Sequence, residues 1–314
     1  MSEKVATRDA YGNALVKLGE INANLVVLDA DLSKSTKTAI FAGKFPERFF
    51  QMGIAEADMI STAAGLAAAG KIPFASTFAI FATGRAYDQL RNTVAYSRLN
   101  VKIAATHAGL TVGEDGGSHQ ALEDITLMRA IPGMTVLNPA DGVETEKLVF
   151  AAADYPGPVY IRLGREPVSI IFSADYQPEI GKAYRIREGK AATIVATGIM
   201  AEQAIHAAEI LSNRGSTVRV LDMHTIKPLD AAEIIKAAWE TGAIVTAEEH
   251  TVIGGLASAV AEVVVQNHPV PMEFIGTRDL FGQSGTPAEL LAAYGLGTDH
   301  IVAAVEKAIE RKRS

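Results

Sequence analysis

Between Thr106 and Gln120 the chain reads Thr106-His107-Ala108-Gly109-Leu110-Thr111-Val112-Gly113-Glu114-Asp115-Gly116-Gly117-Ser118-His119-Gln120. Two imidazoles and two carboxylates in one glycine-rich loop can donate to and accept from several hydroxyl groups. Imidazole also exchanges protons near neutral pH. A metal site fits less well, because His107 and His119 stand far apart and no third ligand clusters with them. Three other groups could do chemistry. Glu56, in Gly53-Ile54-Ala55-Glu56-Ala57-Asp58-Met59, opens a segment of very small residues; taken alone it is a carboxylate favoured at a helix N-terminus. Phe78 and Phe81 could hold a flat heterocycle or simply pack in a core. Arg165, in Arg162-Leu163-Gly164-Arg165, could join Arg8 and Ser35 in an anion pocket, since the guanidinium is planar and always charged.

These residues need elements to position them. Apolar runs of strand length at Leu25–Leu28, Ile72–Ala75, Val101–Ala105, Thr135–Leu137 and Val159–Ile161 alternate with helix-like segments at Ala57–Ala69, Arg85–Ser97, Ala121–Ala130 and Gly142–Ala153. A second series follows, with strands at Thr193–Ala196, Val218–Leu221, Ala243–Thr246 and Met272–Ile275. Its helices are Ala201–Ser212, Ala231–Trp239, Leu256–Gln266 and Asp299–Arg311. Such alternation predicts an α/β protein of two domains, each a mostly parallel open sheet with helices on both faces. The polar stretch Ser173–Arg187 divides them, giving domains at 1–180 and 181–314. Open sheets bind ligands at the carboxyl ends of their strands, where the polar clusters above fall. Gly254-Gly255 precedes a helix and could present N–H groups to an anion, though a tight turn explains it as well. Glu248-Glu249-His250 is read as structural or interfacial.

Composition narrows the class. The net charge of -7, with basic residues dispersed, argues against a nucleic-acid partner. The absence of cysteine excludes disulfides and thiolate chemistry. No apolar run reaches membrane-spanning length and no signal-like segment opens the chain, so a cytoplasmic location is expected. Arg311-Lys312-Arg313 reads as a solvated helix end.

Taken in order, Ala6-Thr7-Arg8, Asp29-Ala30-Asp31-Leu32, Gly53-Ile54-x-Glu56-x-x-Met59, Thr77-Phe78-x-x-Phe81, the His107–Gln120 loop and Arg162-x-x-Arg165 resemble the transketolase family over essentially the whole chain. The resemblance is to the family's pyrimidine-binding and C-terminal domains. It implies that Glu56 hydrogen-bonds the aminopyrimidine of thiamine diphosphate and promotes its imino tautomer, with Phe78 and Phe81 around the ring. It implies further that His107, Asp115 and His119 contact sugar hydroxyls, with His119 and His107 also catalytic, and that Arg8, Ser35 and Arg165 hold a substrate phosphate. The implied reaction is transfer of a two-carbon ketol unit between sugar phosphates, in the manner of pentose phosphate metabolism.

The sequence departs from the family pattern at Gly84, where a third aromatic is usual, at Ala57, where His is usual, and at Gly117-Ser118 in the loop. Gly84-Arg85-Ala86-Tyr87-Asp88-Gln89 looks more like 1-deoxyxylulose-5-phosphate synthase. The family's diphosphate-binding domain, with its Mg2+ ligands, would precede Arg8. The resemblance therefore implies a separate N-terminal subunit that supplies the Mg2+ site, and an α2β2 heterotetramer built on a homodimer of this chain. A deoxyxylulose phosphate synthase-like enzyme, a 2-oxo acid dehydrogenase β subunit and a non-catalytic assembly protein stand as alternatives.

Overall fold

The computed structural model describes residues 4–313. Its first half is built on a seven-stranded sheet in the order Thr225–Lys227, Thr135–Leu137, Val159–Arg162, Lys102–Thr106, Ile72–Phe78, Leu25–Asp29, Phe49–Gln51. All neighbours are parallel except the first pair. Leu25–Asp29 is buried along its whole length, because helices cover both faces of the sheet. Side chains alternate across a strand. Val26 and Leu28 accordingly enter one apolar cluster, with Met59, Ile60 and Leu90, while Leu25 and Val27 enter another, with Tyr11, Leu15 and Leu148.

The second half carries a five-stranded sheet in the order Met272–Thr277, Ile244–Thr251, Thr193–Ala196, Arg219–Asp222, Tyr184–Arg187. Only its last pair is antiparallel. Ile194 and Val245 face one cluster; Val195 and Ile244 face the other. Both sheets are mostly parallel with helices on both faces, as the alternation of apolar segments predicts.

Several elements escape the sequence pattern. Helix Thr7–Ile21 contains two glycines, which lower helix propensity. Both are contact positions. A Cβ on Gly12 would lie 2.7 Å from the Lys37 Cβ, and one on Gly19 would lie 2.7 Å from the Phe45 ring. Their absence lets this helix close on Thr38–Lys44. The expected helix Arg85–Ser97 is instead a short helix, Ala79–Arg85, followed by a π-helical turn, Gln89–Ala95. The segment expected to be irregular up to Arg187 ends in an edge strand, Tyr184–Arg187. Thr225–Lys227, from the second half of the chain, completes the edge of the first sheet. The basic C-terminal turn is not simply solvated: Arg311 bonds the Met272 carbonyl and Glu273, and Lys312 donates to the Thr241 carbonyl. Among the described residues no helix is long and apolar enough to cross a membrane.

Candidate active site

Five neighbouring parallel strands of the first sheet end on the same edge, and the chemistry gathers there. Phe78 ends strand Ile72–Phe78, His107 follows Lys102–Thr106, and Arg165 follows Val159–Arg162. Past strand Phe49–Gln51, Gly53 takes a positive φ of 69°, which turns the chain into the helix that Glu56 begins.

Four rings stack beside one another. The Phe78 ring lies 3.8 Å from the imidazole of His107 and 5.7 Å from Phe81, nearly parallel to both. His119 meets Phe81 edge-on at 5.5 Å. The Glu56 carboxylate, only 5 % exposed, accepts from Arg85 Nη1 at 2.8 Å. The same guanidinium lies 4.1 Å from the centroid of Phe81. Arg85 therefore ties the carboxylate to the ring stack, a role that nothing in its sequence position announces.

His107 is the most constrained member. It is buried and holds a φ of 55°, unusual for a residue with a side chain and a mark of local strain at functional positions. Arg8 Nη1 lies 3.0 Å from its Nε2. Arginine only donates, so Nε2 accepts; in the neutral ring Nδ1 then carries the proton and donates to Thr106 Oγ1 at 2.9 Å. Burial first, then repulsion from Arg8 and Arg165, pushes the ring down to about 3. His107 is thus neutral at physiological pH and differs from the proton-exchanging imidazole expected of it: it orients and accepts. His119 is half-buried, with Ser118 Oγ 2.9 Å from its Nδ1.

The proposed anion residues come together only through the fold. Arg8 also donates to the Ser35 main-chain carbonyl at 3.1 Å, so Ser35 enters through its backbone. Arg165 donates to the Val112 carbonyl at 2.7 Å and pairs with Asp115 at 3.4 Å. Burial lowers the Arg8 pKa, and Arg165 lowers it further while Asp9 opposes. Two guanidinium groups that repel one another favour an anion nearby. Arg162, by contrast, is buried, and its donors are taken up by Asp124 and the carbonyls of Ala121 and Glu249.

Two supports were not legible in the sequence. The buried Asp29 carboxylate accepts from Leu32 N, Thr36 Oγ1 and Thr38 Oγ1 at 2.7, 2.6 and 2.8 Å, and so shapes the turn that carries Ser35. Gln120 Nε2 donates to the carbonyls of Leu110, Gly113 and Gln283, closing the loop on itself and on the C-terminal half. The helix N-terminus after Gly254-Gly255 does bind an anion, but it is the chain's own: Glu248 accepts from Leu256 N and Ala257 N at 2.7 and 2.8 Å.

A heteroaromatic ring fits one side of this site. Phe81 is only partly buried, and a Cβ on Gly84 would meet nothing within 4 Å, so open space borders the stack. Glu56 is joined to the same stack through Arg85, whose side chain is half-exposed. Among the described residues no group of three His, Asp or Glu side chains could hold a metal ion.

Comparison with known proteins gives a consistent outcome. The family model described as transketolase, pyrimidine binding domain, matches residues 3–169. The one described as transketolase, C-terminal domain, matches residues 181–301. A Methanocaldococcus jannaschii protein named as a transketolase C-terminal section is 49 % identical, over 97 % of this chain and 96 % of its own length. A 6-deoxy-6-sulfo-D-fructose transketolase subunit of a Clostridium species is 44 % identical, over 97 % of this chain and 95 % of its own. A solved structure, a split gene transketolase described as an inactive β4 tetramer, superposes with a TM-score of 0.93 at 55 % identity, covering 98 % of this chain and 100 % of that one. The chain spans about half the length of the human and rat transketolases it also matches.

Proposed function

The chain belongs to the transketolase family, and we propose that it is the C-terminal subunit of a thiamine-diphosphate-dependent transketolase, moving a two-carbon ketol unit from a ketose phosphate to an aldose phosphate. Convergence carries this reading: Glu56, Phe78 and Phe81 share one sheet edge with His107, His119, Arg8 and Arg165, and lie within reach of a single bound sugar and cofactor ring. The transketolase names of its relatives support this reading over a deoxyxylulose phosphate synthase, an oxo acid dehydrogenase subunit or a non-catalytic assembly protein. Pyrimidine-binding and C-terminal units at 1–180 and 181–314 are part of this proposal; the family-model matches at residues 3–169 and 181–301 support it.

Thiamine diphosphate, when bound, supplies the electron sink for breaking a carbon–carbon bond next to a carbonyl. In this chain Glu56 would hydrogen-bond the aminopyrimidine ring and control a proton there, while Phe78 and Phe81 hold the ring in register. His107 is neutral; when Arg8 turns from its Nε2 to the substrate phosphate, that nitrogen accepts from a sugar hydroxyl, and Asp115 accepts from another. His119, at the loop's end and against the ring stack, moves a proton at the reacting oxygen. Arg8 and Arg165, with the Ser35 segment, hold the substrate phosphate and so set the distance of the carbonyl from the cofactor. Mg2+ and the diphosphate are assigned to a separate N-terminal subunit, in an α2β2 assembly. The description of its structural neighbour as an inactive β4 tetramer supports a chain that self-associates and is inactive by itself.

The test is a coupled ketol-transfer assay with xylulose 5-phosphate and ribose 5-phosphate, thiamine diphosphate and Mg2+. Turnover is expected when the N-terminal subunit is added and not with this chain alone. Turnover with pyruvate in place of the ketose would move the assignment to a decarboxylating relative.

A further inference from the structure

The loop that carries Asp115 and His119 belongs to the first sheet, yet part of what holds it comes from the second. Glu249, on strand Ile244–Thr251, is buried, and its Oε1 accepts from the Thr111 main-chain N–H at 2.6 Å. The loop lies directly on this carboxylate. A Cβ on Gly109 would come within 2.2 Å of the Glu249 Cδ, and Gly109 holds a φ of 83°. Both facts require glycine there.

Glu249 is itself fixed. Arg162 Nη2 donates to the Glu249 carbonyl at 2.9 Å and to the Ala121 carbonyl at 3.3 Å. Arg162 Nη1 lies 3.9 Å from Glu249 Oε2, and its Nε donates to Asp124 at 2.8 Å. Next to these contacts, Thr251 N donates to the Leu122 carbonyl and Gly109 N to the Ala121 carbonyl. At the loop's far end Gln120 reaches the Gln283 carbonyl. The tethers thus bracket the span from His107 to His119. Burial pushes the Glu249 carboxyl up to about 7, with Arg162 and the Thr111 amide opposing and Asp124 adding to the rise.

We propose that Glu249 is a positioning residue for catalysis: from the C-terminal sheet it sets the conformation of loop 109–115, and through it the placement of His107, Asp115 and His119 on the substrate. The catalytic part of this inference rests on the proposed function; the clamp itself does not. A buried hydrogen bond from a main-chain N–H to a carboxyl oxygen contributes enough to hold a short loop, and its loss opens the loop locally and not the whole domain.

Amide hydrogen exchange of the full chain tests the clamp without any activity. In Glu249→Ala, exchange of residues 110–115 is expected to quicken by about tenfold or more, with the strands of both sheets unchanged. In Glu249→Gln, whose amide oxygen still accepts from Thr111, it is expected to stay within about threefold of the parent. Unchanged exchange in Glu249→Ala, or a rise spread evenly over both sheets, overturns the proposal. Should Glu249→Ala not fold, Gly109→Ala displaces the same contact from the loop side. It is expected to quicken 110–115 and leave 244–251 protected; protection of 110–115 at the parent level overturns the clamp.

In the reconstituted enzyme, Glu249→Ala is expected to lower kcat/KM for the ketose phosphate by about tenfold, while thiamine diphosphate affinity, measured by titration, stays within about twofold; Glu249→Gln restores turnover. Equal losses in cofactor and substrate binding would mark a general structural role and overturn it. Loss of loop protection in Glu249→Ala, with no ketol transfer by the parent pair, would sustain the clamp and sink the proposed reaction instead.

Discussion

The 2.8 Å contact between Glu56 and Arg85 places the carboxylate most needed for the proposed chemistry where one half-exposed side chain is its hydrogen-bonding partner. Glu56→Gln keeps the size and one acceptor but cannot take up a proton; it should fold as the parent does and lower kcat of the reconstituted enzyme by about 100-fold or more. Near-parental turnover would remove Glu56 from its role. Arg165→Ala should raise KM for phosphorylated substrates by about tenfold with a smaller effect on kcat, because it removes one charged contact made alike in ground and transition states. An unchanged KM would take Arg165 out of the phosphate site. His107 offers a test by linkage. Its folded pKa, about 3, lies below the ordinary 6.5, so the unfolded chain takes up a proton that the folded chain refuses. The stability tied to this group is complete above pH 6.5 and is lost as the pH falls toward 3. Between pH 6.5 and 5 the loss amounts to about 2 kcal/mol at most. His107→Asn should therefore lose less Tm on acidification over that range than the parent; parallel melting curves would contradict the neutral ring.

At the scale of elements, helix Thr7–Ile21 shows why a pattern can fail. Its two glycines count against a helix by propensity, yet they are what allows Phe41, Phe45 and Lys37 to approach its backbone. Gly19→Ala should raise intrinsic helix propensity and still destabilise the chain by about 1–3 kcal/mol, because its Cβ would meet ring carbons of Phe45 and Phe41 at 2.7 and 2.8 Å. A Tm equal to or above the parent's would show that the rings can yield. Glu56, Phe78, His107 and Arg165 were legible as candidates, since the last three follow strand-like runs and Glu56 opens a helix-like segment of small residues. Arg85, Asp29 and Gln120 were not, because their partners lie 29, 7 and 163 positions away and each contact exists only once strands and turns are set side by side.

At the scale of the molecule, the two sheets are joined by more than a linker. Thr225–Lys227 completes the edge of the first sheet, Lys227 donates to the carbonyls of Arg129 and Ile131, and Arg162 reaches the backbone of Glu249. Contacts this buried should make the two halves unfold together. Calorimetry of the chain is expected to give one transition; two resolved transitions would show that the sheets are energetically independent.

The amino-acid sequence by itself determined the alternation of buried strands and amphipathic helices, the two series of elements and the motifs that mark the family. These follow from local periodicity and from residue types at short spacings, which the chain carries without folding. Only the tertiary structure decided that His107 is a neutral acceptor and not a proton carrier. The same holds for Ser35, whose carbonyl accepts from Arg8; for the helix after Gly254-Gly255, which is closed by Glu248; and for the loop 109–115, which rests on Glu249. Each of these depends on burial and on partners distant in sequence, and both come into being when the sheets pack.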